Sequence, residues 1–328
     1  MGSVSKRSRT PRTARPARTG RLGRYTAGFV VLCGLIGYVG AHHVTGSKGA
    51  PMCTVGSGEN TYEFTPDQAA NAATISAVGT TRRMPERAVT IALATAIQES
   101  ALRNIEHGDR DSLGLFQQRP SMGWGTPDQI MDPVYSSGKF YDGLAKVPGY
   151  SRLPLTVAAQ KVQKSGFPQA YAKHEPDAAL LAAALTGRSA AALTCTTSPP
   201  EARRPGDPAQ VRTELVRAFG KKAAPKTTAA GSTGAGGAGR NAGGGGGGTD
   251  AKPGTAVLSV PVLATAGTGA QRGWELAHWA VARADDLRIA EVSYGGMVWR
   301  ASDASGKWTK SRTPDGTAAE EVRIRLEP

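Results

Sequence analysis

An apolar helical stripe that ends in a carboxylate constrains this chain more than any other feature. After Pro85, residues Val89, Ala92, Leu93, Ala96 and Ile97 recur at the i, i+3, i+4 spacing of a helix with one buried face. At about 3.6 residues per turn, Glu99 falls at the edge of that stripe, near the helix's C-terminal end. A polar turn follows, and the chain returns with Gly114-Leu115-Phe116-Gln117-Gln118-Arg119-Pro120. Such a helix must pack against a core, and its acid then sits at the core's edge.

The flanking segments supply that core. Thr65-Pro66-Asp67-Gln68 combines a capping threonine, a proline at the first helical position and a glutamine three residues after the cap. It predicts a helix to about Thr81 with Ile75 and Val78 inward. Thr126-Pro127-Asp128-Gln129 repeats the pattern, and Asp132-Pro133 opens a helix carrying Val134, Phe140, Tyr141 and Leu144. Further helices are expected over 154–164 and 177–185, with Gly187 as a stop. Residues 65–195 thus read as a mainly helical domain, interrupted around 109–117 and long enough for its own core.

The rest of the chain divides by composition. Residues 1–24 hold eight cations, from Lys6 to Arg24, and no acid, a large share of the net charge of +14. Residues 25–44 carry no formal charge and include Phe29, Val30, Val31, Leu32, Leu35, Ile36 and Val39. The two together predict a basic cytoplasmic tail and a transmembrane signal anchor, with everything after it outside the membrane. A cleaved signal peptide is the competing reading, although 40–50 has no clear small-x-small cleavage site. Basic residues beside a spanning segment already have a role, so nucleic acid is not expected as a partner.

Residues 45–64 read as a stem. Residues 196–256 read as a linker with a short helix at 208–219 and a low-complexity tract containing Gly243–Gly248. Residues 257–328 read as a small α+β module, with strands at 257–263, 291–294, 297–299 and 321–326 and a helix at 274–284. The expected fold class is therefore mainly α, a lysozyme-like helical domain followed by a Gly-rich linker and a small α+β C-terminal domain.

Three cysteines are present. Cys33 falls in the expected span, which leaves Cys53 and Cys195 as the natural disulfide pair outside the membrane. Two unpaired thiols are the alternative. His42, His43, His107, His174 and His278 form no His-Glu-x-x-His and no cysteine–histidine metal spacing. No metal or cofactor is expected, and His278 reads as a packed or surface histidine.

Glu99-Ser100 followed by Gly114-Leu115-Phe116-Gln117 and Pro120 resembles the signature of the lytic transglycosylases, lysozyme-fold enzymes that cleave bacterial cell-wall glycan. Their Gly-Leu-Met-Gln is matched with Phe116 in place of Met, and both spacings agree. The resemblance covers roughly residues 70–185, and the C-terminal module is similar to domains appended to actinobacterial cell-wall proteins. It implies a membrane-anchored enzyme, with Glu99 as general acid and then base, that cleaves the β-1,4 bond of peptidoglycan glycan strands. Ser100, Gln117 and Tyr171 are the candidate substrate contacts, and Asp111 the candidate second carboxylate. Ser100 reads equally as a helix cap, and Trp124 either stacks on a sugar or anchors a loop.

The family's later Ala-Tyr-Asn-x-Gly motif is absent. Gln160, Gln163 and Tyr171 occupy the corresponding region. The alternative is a non-catalytic cell-envelope protein of lysozyme-like fold that binds glycan or scaffolds protein partners through its C-terminal module. On both readings the protein resides in the cell membrane with a single pass and a cytoplasmic N-terminus.

Overall fold

A mainly helical region leads and a mixed α/β region follows, in a computed structural model that describes residues 50–58, 60–164, 169–198, 204–229, 256–263, 268–311 and 319–328. The helices begin where the capping signals stand. α1 (Pro66–Thr81) starts at Thr65, whose hydroxyl accepts from the Gln68 amide while Gln68 Oε1 accepts from the Thr65 amide. α2 (Glu86–Ser100) is followed by α3 (Pro127–Ile130), α4 (Pro133–Ala145), α5 (Leu155–Gln163) and α6 (Glu175–Leu185). The apolar residues of α2 are buried, and the helix packs on α1 and α6.

The segment expected as a stem is partly a sheet. β1 (Cys53–Ser57) and β2 (Asn60–Phe64) form an antiparallel hairpin, and β3 (Leu193–Cys195) pairs with β1 on its other side. Of the glycines that suggested a stem, Gly56 (φ 101°) lies within β1 and Gly58 (φ 62°) in the turn that follows it. Cys53, Val55 and Phe64 are buried, and Tyr62 stacks on Phe64. Cys53 lies opposite Cys195 in the register, and the two form a disulfide, as the cysteine arithmetic expected.

α7 (Pro208–Phe219) starts behind Asp207, whose carboxylate accepts from the Ala209 amide. β4 (Lys226–Ala229) uses the last residues before the glycine tract. The tract itself, like the expected tail 1–24 and span 25–44, lies outside the described residues. β5 (Ala256–Pro261), α8 (Gly269–Ala282), β6 (Ile289–Tyr294), β7 (Met297–Arg300), β8 (Thr309–Lys310) and β9 (Glu321–Leu326) complete the region. Its antiparallel sheet runs β4-β5-β9-β6-β7-β8. Alternate residues such as Leu258, Val260, Val322 and Ile324 are buried, the period-two pattern of a sheet covered on one face. α8 packs on β6 and β9. It approaches closely at Gly273, where an added Cβ would lie 1.8 Å from the Tyr294 ring.

The helical segment expected over 65–195 and the module expected over 257–328 share one compact unit, Ala50–Pro328. α8 packs on α1, α6 and β3 as well as on its own sheet. Trp299 Nε1 donates to Cys195 O (3.1 Å) and Trp308 Nε1 to Leu193 O (2.9 Å), so the C-terminal region holds β3 from the side opposite the disulfide partner. These tryptophans are buried core and interface residues.

His278 on α8 fixes the same junction. Its ring is fully buried, Nδ1 lies 2.8 Å from Ala184 O, and the Ala192 amide donates to Nε2 at 3.2 Å. One nitrogen must therefore donate and the other accept, which selects the neutral ring. Burial lowers its pKa from the ordinary 6.5 to about 4. A group that the folded state keeps deprotonated stabilises fully above the unfolded pKa and loses that contribution as pH falls. Unfolding free energy should therefore drop by about 3 kcal/mol between pH 6.5 and pH 4 through this residue. Urea titrations of the protein and of His278→Gln across that range check it. The variant should lack this part of the acid dependence.

Candidate functional site

The groove is built around the end of α2. After Glu99 and Ser100 the backbone turns through two consecutive left-handed residues, Ala101 (φ 52°) and Leu102 (φ 58°). Each non-glycine residue in that region costs about 1–2 kcal/mol. Two amides from α1 hold the turn: Gln68 Nε2 donates to Ala101 O (2.7 Å) and Asn71 Nδ2 to Leu102 O (2.8 Å). The side chain of Leu102 is fully buried beneath them. Gln68 thus caps α1 and fixes the end of α2 with one side chain, which sets the position of Glu99.

Facing Glu99 is the turn 114–118. Leu113 and Gln118 form an antiparallel bridge, and Leu115 and Phe116 are fully buried, Phe116 stacking on Phe140 at 4.8 Å. Gly114 is required there. Its φ is 73°, and a Cβ would come within 2.8 Å of Ile130 O. The buried Ser100 hydroxyl lies 3.1 Å from Ala96 O and 2.9 Å from Leu115 O, so it ties the turn to α2 and faces the backbone. Gln117 adopts φ 48° and lines the groove. Its Nε2 is 3.3 Å from Gly114 O and 3.4 Å from His107 O.

Tyr171 approaches Glu99 from the protein interior. Its ring is fully buried and its hydroxyl donates to Glu99 Oε1 at 2.6 Å. Beside it Gln163 Nε2 donates to Phe116 O (2.7 Å), joining the end of α5 to the turn. Glu99, Gln117 and Gln163 line an open groove of about 700 Å³ with Asp109, Arg110, Trp124 and Lys164, while the Tyr171 side chain stays beneath its surface.

Asp111 lies outside that lining. Arg119 Nε donates to its Oδ1 at 2.7 Å and the Ser121 amide to its Oδ2 at 2.8 Å. The Arg119 hydrogen bond, followed by those from Ser121, holds its carboxyl well below the usual carboxylate range. It is a fixed anion that pins the loop. Of the proposed site residues, the structure places Glu99 and Gln117 on the groove, buries Tyr171 behind Glu99, and turns Ser100 and Asp111 to the protein's own chain.

Two of the groove's cations were not read from the sequence. Arg110 and Lys164 line it, both left-handed (φ 58° and 53°), and neither is in an ion pair among the described residues. Arg110, Gln117 and Lys164 place three left-handed non-glycine residues in its lining, and Ala101 and Leu102 add two just after Glu99. Backbone strain of this kind persists where the surroundings enforce it, and it concentrates at functional sites. Among the described residues no group of three or more His, Cys, Asp or Glu side chains could hold a metal.

No known family model matches the chain, and no curated protein matches it. The membership in the lytic transglycosylase and lysozyme-like superfamily expected from the Glu99 and Gly114–Pro120 motifs is corrected accordingly. A few residues at matching spacing recur here without similarity along the chain. Among the described residues no helix is long and apolar enough to cross a membrane, and the expected span 25–44 lies outside them. The single-pass membrane location, and the membrane and peptidoglycan as partners, do not stand.

Proposed function

We propose that the groove at Glu99 binds an extended oligosaccharide and that the protein acts as a glycan-binding module. The observation that carries this reading is the Glu99 carboxylate, fixed by the Tyr171 hydroxyl at 2.6 Å in an open polar groove that also presents Gln117, Gln163 and Trp124. A sugar offers closely spaced hydroxyls and an apolar C–H face. A carboxylate accepts from the hydroxyls, carboxamides both donate and accept, and an indole packs on the C–H face. An open groove admits a chain longer than itself. Binding is favoured over turnover because glycoside cleavage commonly uses a second carboxylate beside the acid. Asp111 is committed to Arg119.

The second reading is cleavage of the glycan with Glu99 as acid and then base. Asp109 favours it, since it lines the same groove and is in no ion pair among the described residues. Neither reading depends on a lysozyme-like arrangement of the helices.

One experiment tests both. A β-1,4-linked N-acetylglucosamine hexamer is titrated calorimetrically into the full chain and into Glu99→Ala, and the mixtures are analysed by mass spectrometry. Hydrogen bonds to a charged group contribute about 1.5–3 kcal/mol, so the variant should bind roughly 10–100-fold more weakly. Shorter fragments formed by the parent protein and not by the variant would favour cleavage. Equal affinity in the two proteins, or no binding of this or other neutral glycans, would sink the proposal.

A further inference from the structure

A second pocket, at the C-terminal end of α1, has a different character. It holds about 260 Å³ where the C-terminal ends of α1 and α7 meet β5 and α8. Arg83, Lys221, Lys222 and Arg272 line it, and no carboxylate does. The first three are exposed and in no ion pair among the described residues. Phe219, Pro261 and Leu263 supply an apolar wall, with Leu263 49% exposed.

Arg272 is the part that a merely solvated basic surface would lack. Its side chain is buried, and two contacts orient it: Nη1 donates to Glu275 Oε2 at 2.7 Å, and the guanidinium lies over the Phe219 ring at 4.6 Å. It makes no other side-chain hydrogen bond among the described residues, so donors remain on a guanidinium already held in place. A planar, fixed guanidinium with spare N–H groups suits the tetrahedral oxygens of a phosphate.

Charge balance decides the size of the guest's charge. Glu275 offsets one of the cations. The carbonyl ends of α1 and α7, closing at Thr81 and Phe219, each supply about half a negative charge. Roughly two positive charges remain, against about −1.5 to −2 for a phosphate monoester near pH 7.

We propose that this pocket binds a phosphate ester, with the phosphate on Arg272, Lys221, Lys222 and Arg83 and the carbon part against Phe219, Pro261 and Leu263. The site is separate from the Glu99 groove and independent of the reading given to it.

The test uses the full chain and calorimetric titration with glycerol 3-phosphate, inorganic phosphate and glycerol. Lys221→Ala/Lys222→Ala removes two exposed cations and leaves the buried Arg272–Glu275 pair intact. Its urea midpoint should match the parent's. The basic residues of 1–24 give the same background in both proteins. One saturable site for glycerol 3-phosphate is expected, at least tenfold weaker in the double variant, with no binding of glycerol. Absence of a saturable site, or unchanged affinity in the double variant, would overturn the assignment. Equal affinity for inorganic phosphate would overturn the ester and its apolar wall.

Discussion

Replacing both cysteines, Cys53→Ser with Cys195→Ser, should lower the unfolding free energy by about 5 kcal/mol. The disulfide closes a loop between residues 142 apart in sequence. On the chain-entropy account a loop of that length restricts the unfolded ensemble by about 5 kcal/mol, a large share of the roughly 5–15 kcal/mol that keeps a domain folded. The folded state loses less. β3 keeps its backbone pairing to β1, and Trp299 and Trp308 still donate to Cys195 O and Leu193 O. The variant should therefore fold to the same structure with a lower urea midpoint and a steeper dependence on denaturant, because its unfolded chain exposes more surface. Reduced parent protein should behave like the variant. A loss below about 1 kcal/mol would mean that the unfolded chain is already restricted without the bond.

Elements with a local signal were legible before the fold was known. Thr65 and Thr126 each stand before Pro-Asp-Gln, and at both sites the reciprocal side-chain bonds of the capping box form. Thr268 and Gln271 make the same box, but Gly269 at the first helical position and the absence of a proline hid it, and α8 was expected only from Trp274. The strands β1 and β3 escaped for another reason. Each is short, and what stabilises them is the pairing of Cys53 with Cys195, which no window along the chain contains. Glycines in 53–60 then tipped the reading toward a stem.

The groove divides in the same way. Glu99 and Gln117 were legible because each is tied to a motif. Tyr171 was named only by analogy, as a substrate contact, and its hydrogen bond to Glu99, 72 residues away, was not read. Ser100 was a candidate contact through its motif, though it read equally as a cap, and Asp111 was the candidate second carboxylate because it lies in the connecting turn. In the fold they meet the backbone carbonyl of Leu115 and the guanidinium of Arg119 instead. Arg110 and Lys164 carried no signal, since an exposed cation in a turn has no pattern until the turns converge.

The second large effect follows from the pair at the junction of α1 and α8. Arg272→Met should cost about 3–5 kcal/mol at neutral pH, since it leaves the buried Glu275 carboxylate with only the Thr80 hydroxyl as a partner. Burial already pushes the Glu275 carboxyl above its ordinary value, with Arg272 the main influence pulling it back. Without the guanidinium that carboxyl rises further. A carboxyl raised by folding favours the native state below its unfolded pKa and ceases to do so as pH increases through the folded value. The loss caused by Arg272→Met should therefore be smaller at pH 5 than at pH 8, each compared with the parent at the same pH. Arg272→Met/Glu275→Leu removes both charges and should recover most of the stability, because replacing a buried pair by apolar groups of similar volume is often neutral. Urea titrations of the three proteins at the two pH values decide it. A loss equal at both would show that Glu275 stays neutral in the folded protein, and the junction would then owe its stability to the packing of Arg272 on Phe219 rather than to charge.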